Sequence, residues 1–466
     1  MESEPMMHQG QDARRRAASA KVRQRIRIGG LSLFATTTLL GTYVGYPGLK
    51  RASAAACAPV TSESTLITAL GDLGSTCDTI TISASTITLT GDLPIVSGTG
   101  PFTIRGSGKA STIINGAGAH SAFAFTSPGT RLTVSGLTIR DTTYTTRSGP
   151  AIHVNGNLHL HDFAATSNSS NARGGAIYSH GDVTITDSAF TTNVSGQDGG
   201  AIFSRGAVRT FDATFTSNDA AASGGAVFSG EGVRSDYTHF DGNDALGSSG
   251  GAVFATTYAR VNRSTFTNNT ADNYGGGMYS AGTADITDST FSRNSAIGGG
   301  AVYSDTVTAE NSTFSENTAS GYWNDTYYLK SGAAIYAINP GGVAATIENS
   351  TFYRNQSPYG PAVYAYGDVT INFSTIVNNT STGTGYGAVY IEGGLTVTNS
   401  VIFGNLDGAN DARDLFALGS LTVSTSLLTS SSSFAETTGT VTASDLVFGD
   451  PELGSLGANG GPTNTI

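Results

Sequence analysis

Arg209, Arg234 and Arg260 stand at matching places in three neighbouring stretches of sequence, with Asp285 next in line. On adjacent strands such guanidinium groups lie about 5 Å apart and repel unless compensated. Asp236, two residues from Arg234, supplies some compensation, and an anionic polysaccharide would supply more. The plainer reading is a solvated face. A second set is aromatic: Tyr178, Phe203, Phe228, Phe254, Tyr279, Tyr303, Tyr336, Tyr364 and Tyr390 each follow an aliphatic residue. If the aliphatic residue faces inward, strand alternation turns the ring outward. A stripe of such rings would suit stacking on sugars or docking a partner, unless the rings only shield backbone. Asp162, Asp187 and Asp212 form a third set, with Asp288 later. Stacked carboxylates can hold Ca²⁺, but Asp also forms turns by bonding its own backbone. His159 and His161 sit two apart without an obvious third ligand, so no metal site is expected.

The sharpest local candidate is an insertion between Asn317 and Gly332 that carries Tyr322, Trp323, Tyr327 and Tyr328. Trp323 is the one Trp of the chain. Insertions in repeat proteins go to loops on one face, often the binding face, and an exposed aromatic cluster is a reasonable hot spot.

What positions these residues is a repeat. Gly-Gly-Ala-(Ile/Val) recurs at Gly174, Gly199, Gly224, Gly250 and Gly299. Phe-x-x-Asn recurs at Phe190/Asn193, Phe215/Asn218, Phe240/Asn243, Phe266/Asn269, Phe291/Asn294 and Phe314/Asn317. The copies lie roughly 25 residues apart, a period that marks a solenoid. Within one copy, Gly174 to Asn193, short β-prone runs with period-2 alternation are separated by Gly, Asp and Asn. The fold expected is all-β: a single-stranded right-handed parallel β-helix of three-strand coils. The Phe side chains should stack inside. Asn193, Asn218, Asn243, Asn269, Asn294 and Asn317 should form a structural ladder at one corner, with Asn taking the left-handed conformation a sharp corner needs.

The flanks differ from the repeat. Basic residues crowd before Cys57, among them Arg14, Arg15, Arg16, Lys21, Arg23, Arg25 and Arg27, and an uncharged stretch follows over 28–46. Ala52 to Ala56 then offers small residues, so 1–56 reads as a secretory signal peptide. Ala54-Ala55-Ala56-Cys57 also resembles a degraded lipobox, a minor alternative. Cys57 and Cys77, the only two cysteines, are expected to pair in an oxidising compartment. Between them, 62–71 reads as a short amphipathic helix capped by Ser62 and ended by Gly71. The chain thus divides into leader 1–56, disulfide-tied cap 57–79, β-helix 80–448 and irregular tail 449–466.

Gly-Gly-Ala-Ile paired with Phe-x-x-Asn resembles the repeat of the polymorphic outer membrane proteins first known from chlamydiae, over roughly residues 130–405. The two-cysteine opening and the ending from Gly449 to Thr463 resemble bacterial secreted β-helix proteins of the choice-of-anchor type. The resemblance implies a right-handed parallel β-helix, export, and adhesion or envelope contact. The first family's C-terminal barrel has no counterpart in the sequence up to Ile466, so membrane attachment of that kind is not expected.

A net charge of −11 argues against a nucleic-acid partner. A lyase needs a base beside Ca²⁺ or carboxylates, and a hydrolase needs two carboxylates set across one bond. Near-uniform coils show neither. The function expected is therefore a secreted or cell-surface, non-enzymatic adhesion module without cofactor, for glycans or surface-protein partners. The alternative is a polysaccharide lyase or glycoside hydrolase acting on acidic polysaccharide.

Overall fold

A computed structural model describes residues 55–324, 327–329, 331–433, 439–457 and 463–465. The chain divides into two units, Met1–Arg51 and Ala52–Ile466. The first, and with it nearly all of the expected signal peptide, lies outside the described residues. The second is a parallel β-solenoid.

One coil shows how the repeat folds. Ile177–Ser179, Val183–Thr186 and Ala189–Thr191 are three strands, here called the glycine, middle and Phe strands. Each pairs in parallel with its equivalent one repeat on: Ile177 with Ile202, Val183 with Val208, Phe190 with Phe215. A two-residue strand, Val194–Ser195, adds a fourth side that three-strand reasoning did not foresee; its equivalents make a separate ten-stranded sheet.

The interior is a set of columns. Ile177, Ile202, Val227, Val253, Met278 and Val302 stack in one, all buried. In another, the Phe190, Phe215, Phe240, Phe266 and Phe291 rings lie 4.5–4.9 Å apart and nearly parallel. Burying each such ring contributes roughly 1.5–3 kcal/mol. The paired glycines have a steric cause. Gly174 has φ +67°, and a Cβ there would lie 2.0 Å from the Ile177 carbonyl oxygen; one on Gly175 would lie 2.0 Å from that of Gly200.

The Asn ladder forms with a different division of labour from the one expected. Asn193 Oδ1 accepts from the backbone N–H and Nδ2 of Asn168, and Asn193 Nδ2 donates to Asn218 Oδ1 at 2.9 Å and to the Ala165 carbonyl at 3.1 Å. The pattern repeats through Asn243, Asn269, Asn294 and Asn317 to Asn405. The left-handed residue is the one before each Asn: Thr192 at φ +51°, Ser217 at +51°, Asn268 at +54° and Arg293 at +55°. The ladder Asn instead turns inward and replaces missing backbone partners at the corner. The column ends on Asp414, whose carboxylate accepts from Asn405 Nδ2, the Thr429 N–H and hydroxyl, and the Ser433 hydroxyl. Burial pushes this carboxyl above its usual range against the pull of those donors.

Helix α1 (Glu63–Asp72) closes the first coil. Ser62 and Thr65 form a capping box, and Leu66, Ala69 and Leu70 are buried. The helix runs past Gly71 to Asp72, and the left-handed turn falls on Gly74 at φ +82°. The Thr90 N–H and hydroxyl bond the Glu63 carboxylate at 2.7 and 2.8 Å, tying helix to coil. Cys57 and Cys77 are disulfide-bonded. With its sulfur so used, Cys57 cannot carry the thioether that a lipobox implies. At the other end the tail is irregular over 449–457, and Thr463 folds back to donate to the Asn311 carbonyl.

Candidate functional site

The aromatic column does point away from the core, but it is built as a stack. His153, Tyr178, Phe203, Phe228, Phe254, Tyr279 and Tyr303 follow one another at 4.6–5.3 Å, with ring planes within 12° of parallel. Tyr336 turns edge-on between Tyr303 and Tyr364. Each ring in the parallel run spends its faces on its neighbours. Tyr178 is further covered by His180 and Arg205, and Tyr364 donates its hydroxyl proton to Glu392. Tyr178, Tyr364 and Tyr390 are buried; Tyr279, Tyr303 and Tyr336 are half-buried. Desolvation, reinforced by Tyr274 and Glu392, pushes the Tyr336 hydroxyl up to about 12. A sugar stacks on a ring face, and in the parallel run those faces are taken by neighbouring rings.

The insertion forms an antiparallel hairpin, Tyr322–Asn324 against Tyr327–Leu329. The side chains of Tyr322, Trp323, Tyr327 and Tyr328 lie outside the described residues.

The carboxylate column is a corner. Asp162, Asp187, Asp212 and Asp288 all have φ between +46° and +51°, as do Tyr237 and Arg263 at the same place in other coils. His161 Nδ1 sits 3.0 Å from the Thr186 hydroxyl and 3.3 Å from an Asp187 oxygen. Among the described residues no three His, Cys, Asp or Glu side chains gather as a metal site.

The arginine column assembles in register: Arg209 opposite Arg234, Arg234 opposite Arg260, Arg260 opposite Asp285. Its compensation is internal. Arg209 meets Asp182 at 3.1 Å, Arg234 meets Asp236 at 2.9 Å and Arg260 meets Asp285 at 3.1 Å. Between these pairs runs a groove of about 290 Å³ lined by Arg234, Asp236, Arg260, Asn262, Asp285 and Thr287. A second hollow of about 170 Å³ continues it past Arg209 to Phe211.

Two residues beside this groove were not singled out from the sequence. Phe211 is 49% exposed and Tyr237 is 39% exposed, and their rings meet edge-on at 5.4 Å. Phe211 occupies the outward position held by Thr186 one coil earlier and Asp236 one coil later. Tyr237 takes a corner that Asp212 holds one coil earlier and Arg263 one coil later. The Arg263 guanidinium lies 5.5 Å from the Tyr237 ring centre and 3.3 Å from Asp288. In a near-uniform repeat, an aromatic replacing a polar residue at an outward place is the signal that could have found them.

A family model described as a right handed beta helix region matches residues 225–409. Among solved structures, a similar one is described as a mannuronic acid specific polysaccharide family 6 lyase enzyme from human gut microbiota. It shares 13% identity at a TM-score of 0.30, over 83% of this chain and 82% of that one. A superposition of that quality says nothing about activity. No curated protein matches the chain. The family match agrees with the geometry: the solenoid is a right-handed parallel β-helix.

Proposed function

We propose that this β-helix is a non-enzymatic carbohydrate-binding module that works outside the cell. The observation that carries the reading is the exposed Phe211–Tyr237 pair beside a groove of planar donors and acceptors. Sugars offer an apolar C–H face and a rim of hydroxyls. An exposed ring receives the first, and guanidinium, carboxylate and amide groups receive the second. Strands that pair on both sides hold these groups in place, so binding orders little that is not already ordered. Export is supported by the disulfide, which persists in oxidising compartments, and by the resemblance to polymorphic outer membrane protein repeats. No helix among the described residues is long and apolar enough to cross a membrane.

Retention on a panel of immobilised polysaccharides tests the reading. Phe211→Ala combined with Tyr237→Ala should reduce retention at least tenfold, about 1.4 kcal/mol, without lowering the melting temperature. Unchanged retention contradicts the site. The same mixtures, followed by ultraviolet absorbance for unsaturated uronate ends and by reducing-end release, would reveal a lyase or hydrolase; turnover overturns the non-enzymatic role.

A further inference from the structure

The arginine column suggests at first an anionic ligand, and its charges point elsewhere. Arg209, Arg234, Arg260 and Arg263 are each matched by one carboxylate, those of Asp182, Asp236, Asp285 and Asp288. Asp187 and Asp212 stand on the adjoining corner, and the chain as a whole carries −11. A polyanion approaching this face meets at least as much negative charge as positive. The guanidinium donors it could still reach belong to groups whose charge is already matched, and the carboxylates beside them repel it.

The same pairs suit an uncharged polyol. A guanidinium has five N–H donors in a plane and a carboxylate has about four acceptor sites, so each Arg–Asp pair keeps donors and acceptors to spare after bonding. Each hydroxyl of a sugar both donates and accepts. A vicinal pair of hydroxyls can bridge from guanidinium to carboxylate without disturbing either. The Asn262 amide, which donates to Asp236 Oδ1 at 3.1 Å, adds a second mixed site on the groove floor. The guanidinium groups of Arg209, Arg234 and Arg260 recur at the coil spacing, about 4.8 Å, which is close to the length of one pyranose unit, and each has a carboxylate beside it, from the preceding coil at Arg209, the same coil at Arg234 and the following coil at Arg260. Phe211 and Tyr237 stand at one flank to take the apolar face of a ring.

We infer that the groove over Arg209, Arg234 and Arg260 binds a neutral linear polysaccharide, laid along the solenoid axis with successive sugars on successive arginines and the carboxylates beside them. This rests on the carbohydrate-binding reading above and narrows it to a ligand class. The test is affinity electrophoresis of the full chain in gels carrying soluble neutral glycans (glucan, mannan, galactomannan) or acidic ones (alginate, polygalacturonate, heparin), at low and high salt. The expected result is retardation by a neutral glycan that survives high salt. Asp236→Asn with Asp285→Asn should weaken it at least tenfold while freeing Arg234 and Arg260 to retard acidic glycans. Retardation by acidic glycans only, lost at high salt, overturns this inference and leaves carbohydrate binding standing. No retardation by any glycan overturns both.

Discussion

At the scale of single residues, the corners show how a period imposes itself on unwilling side chains. Thr192 holds φ +51° although it is β-branched. Left-handed backbone costs an L-residue about 1–2 kcal/mol, so Thr192→Gly should leave stability unchanged or raise it by up to about 1 kcal/mol in thermal melts, after the entropic cost of glycine. The neighbouring Asn column should respond in the opposite sense. Asn243→Leu strands the Phe215 carbonyl and the donors of Asn218, bonded now at 2.9–3.1 Å. Each stranded group costs about 1–3 kcal/mol, so a clear fall in melting temperature is expected. The Asn repeat was visible in sequence, but its assignment to the left-handed site was one residue out. After Gly, Asn tolerates that conformation best, yet beside Asn268, Asn378 and Gly242 the site is also held by Thr192, Ser217, Arg293 and Glu316, because coil-on-coil register overrides local preference. Phe211 and Tyr237 went unseen for the converse reason: attention to what repeats hides what breaks the repeat.

At the scale of elements, the β-runs, their parallel stacking and the Ser62-capped helix could be read from alternation and capping chemistry. The fourth side could not, since a two-residue strand is too short to show a period. Nor could the self-stacking of the aromatic column. Whether a ring lies along the axis or stands free is a matter of side-chain torsion, which spacing does not report. The cap supplies two predictions. Reducing Cys57–Cys77 should cost about 3 kcal/mol on the chain-entropy estimate for a loop of 20 residues, read as a lower denaturation midpoint of the first coils. Glu63 supplies the second. Burial opposes its ionisation, but the bonds from Thr90 and the Gly91 N–H outweigh it and hold the carboxyl below its ordinary value. A depressed carboxyl stabilises the fold above its unfolded pKa and loses that contribution as pH falls through the folded one. Acid melts should therefore show a loss below about pH 4.5 that Glu63→Gln lacks.

At the scale of the whole molecule, the fold class was legible because one unit repeats many times and its parts cannot fold alone. The ligand was less so. The sequence displays the arginines in line, but their partners Asp182 and Asp285 come from other coils, and only the three-dimensional register shows each charge already met. A ligand that bridges several coils should stabilise them together. Saturation at a hundred times the dissociation constant adds about 2.7 kcal/mol, so a bound neutral glycan should raise the melting temperature and acidic glycans should not. Every strip and groove described depends on equivalent residues of successive repeats lying directly opposite one another. Thr214 and His239 are such a pair, both exposed, while Asp241 lies opposite Thr216. The most direct measurement is oxidative cross-linking of paired cysteines, read by mass spectrometry. Thr214→Cys with His239→Cys should close rapidly to a disulfide, and Thr214→Cys with Asp241→Cys should stay reduced. Closure of the second pair in preference to the first would contradict the register, and with it the groove.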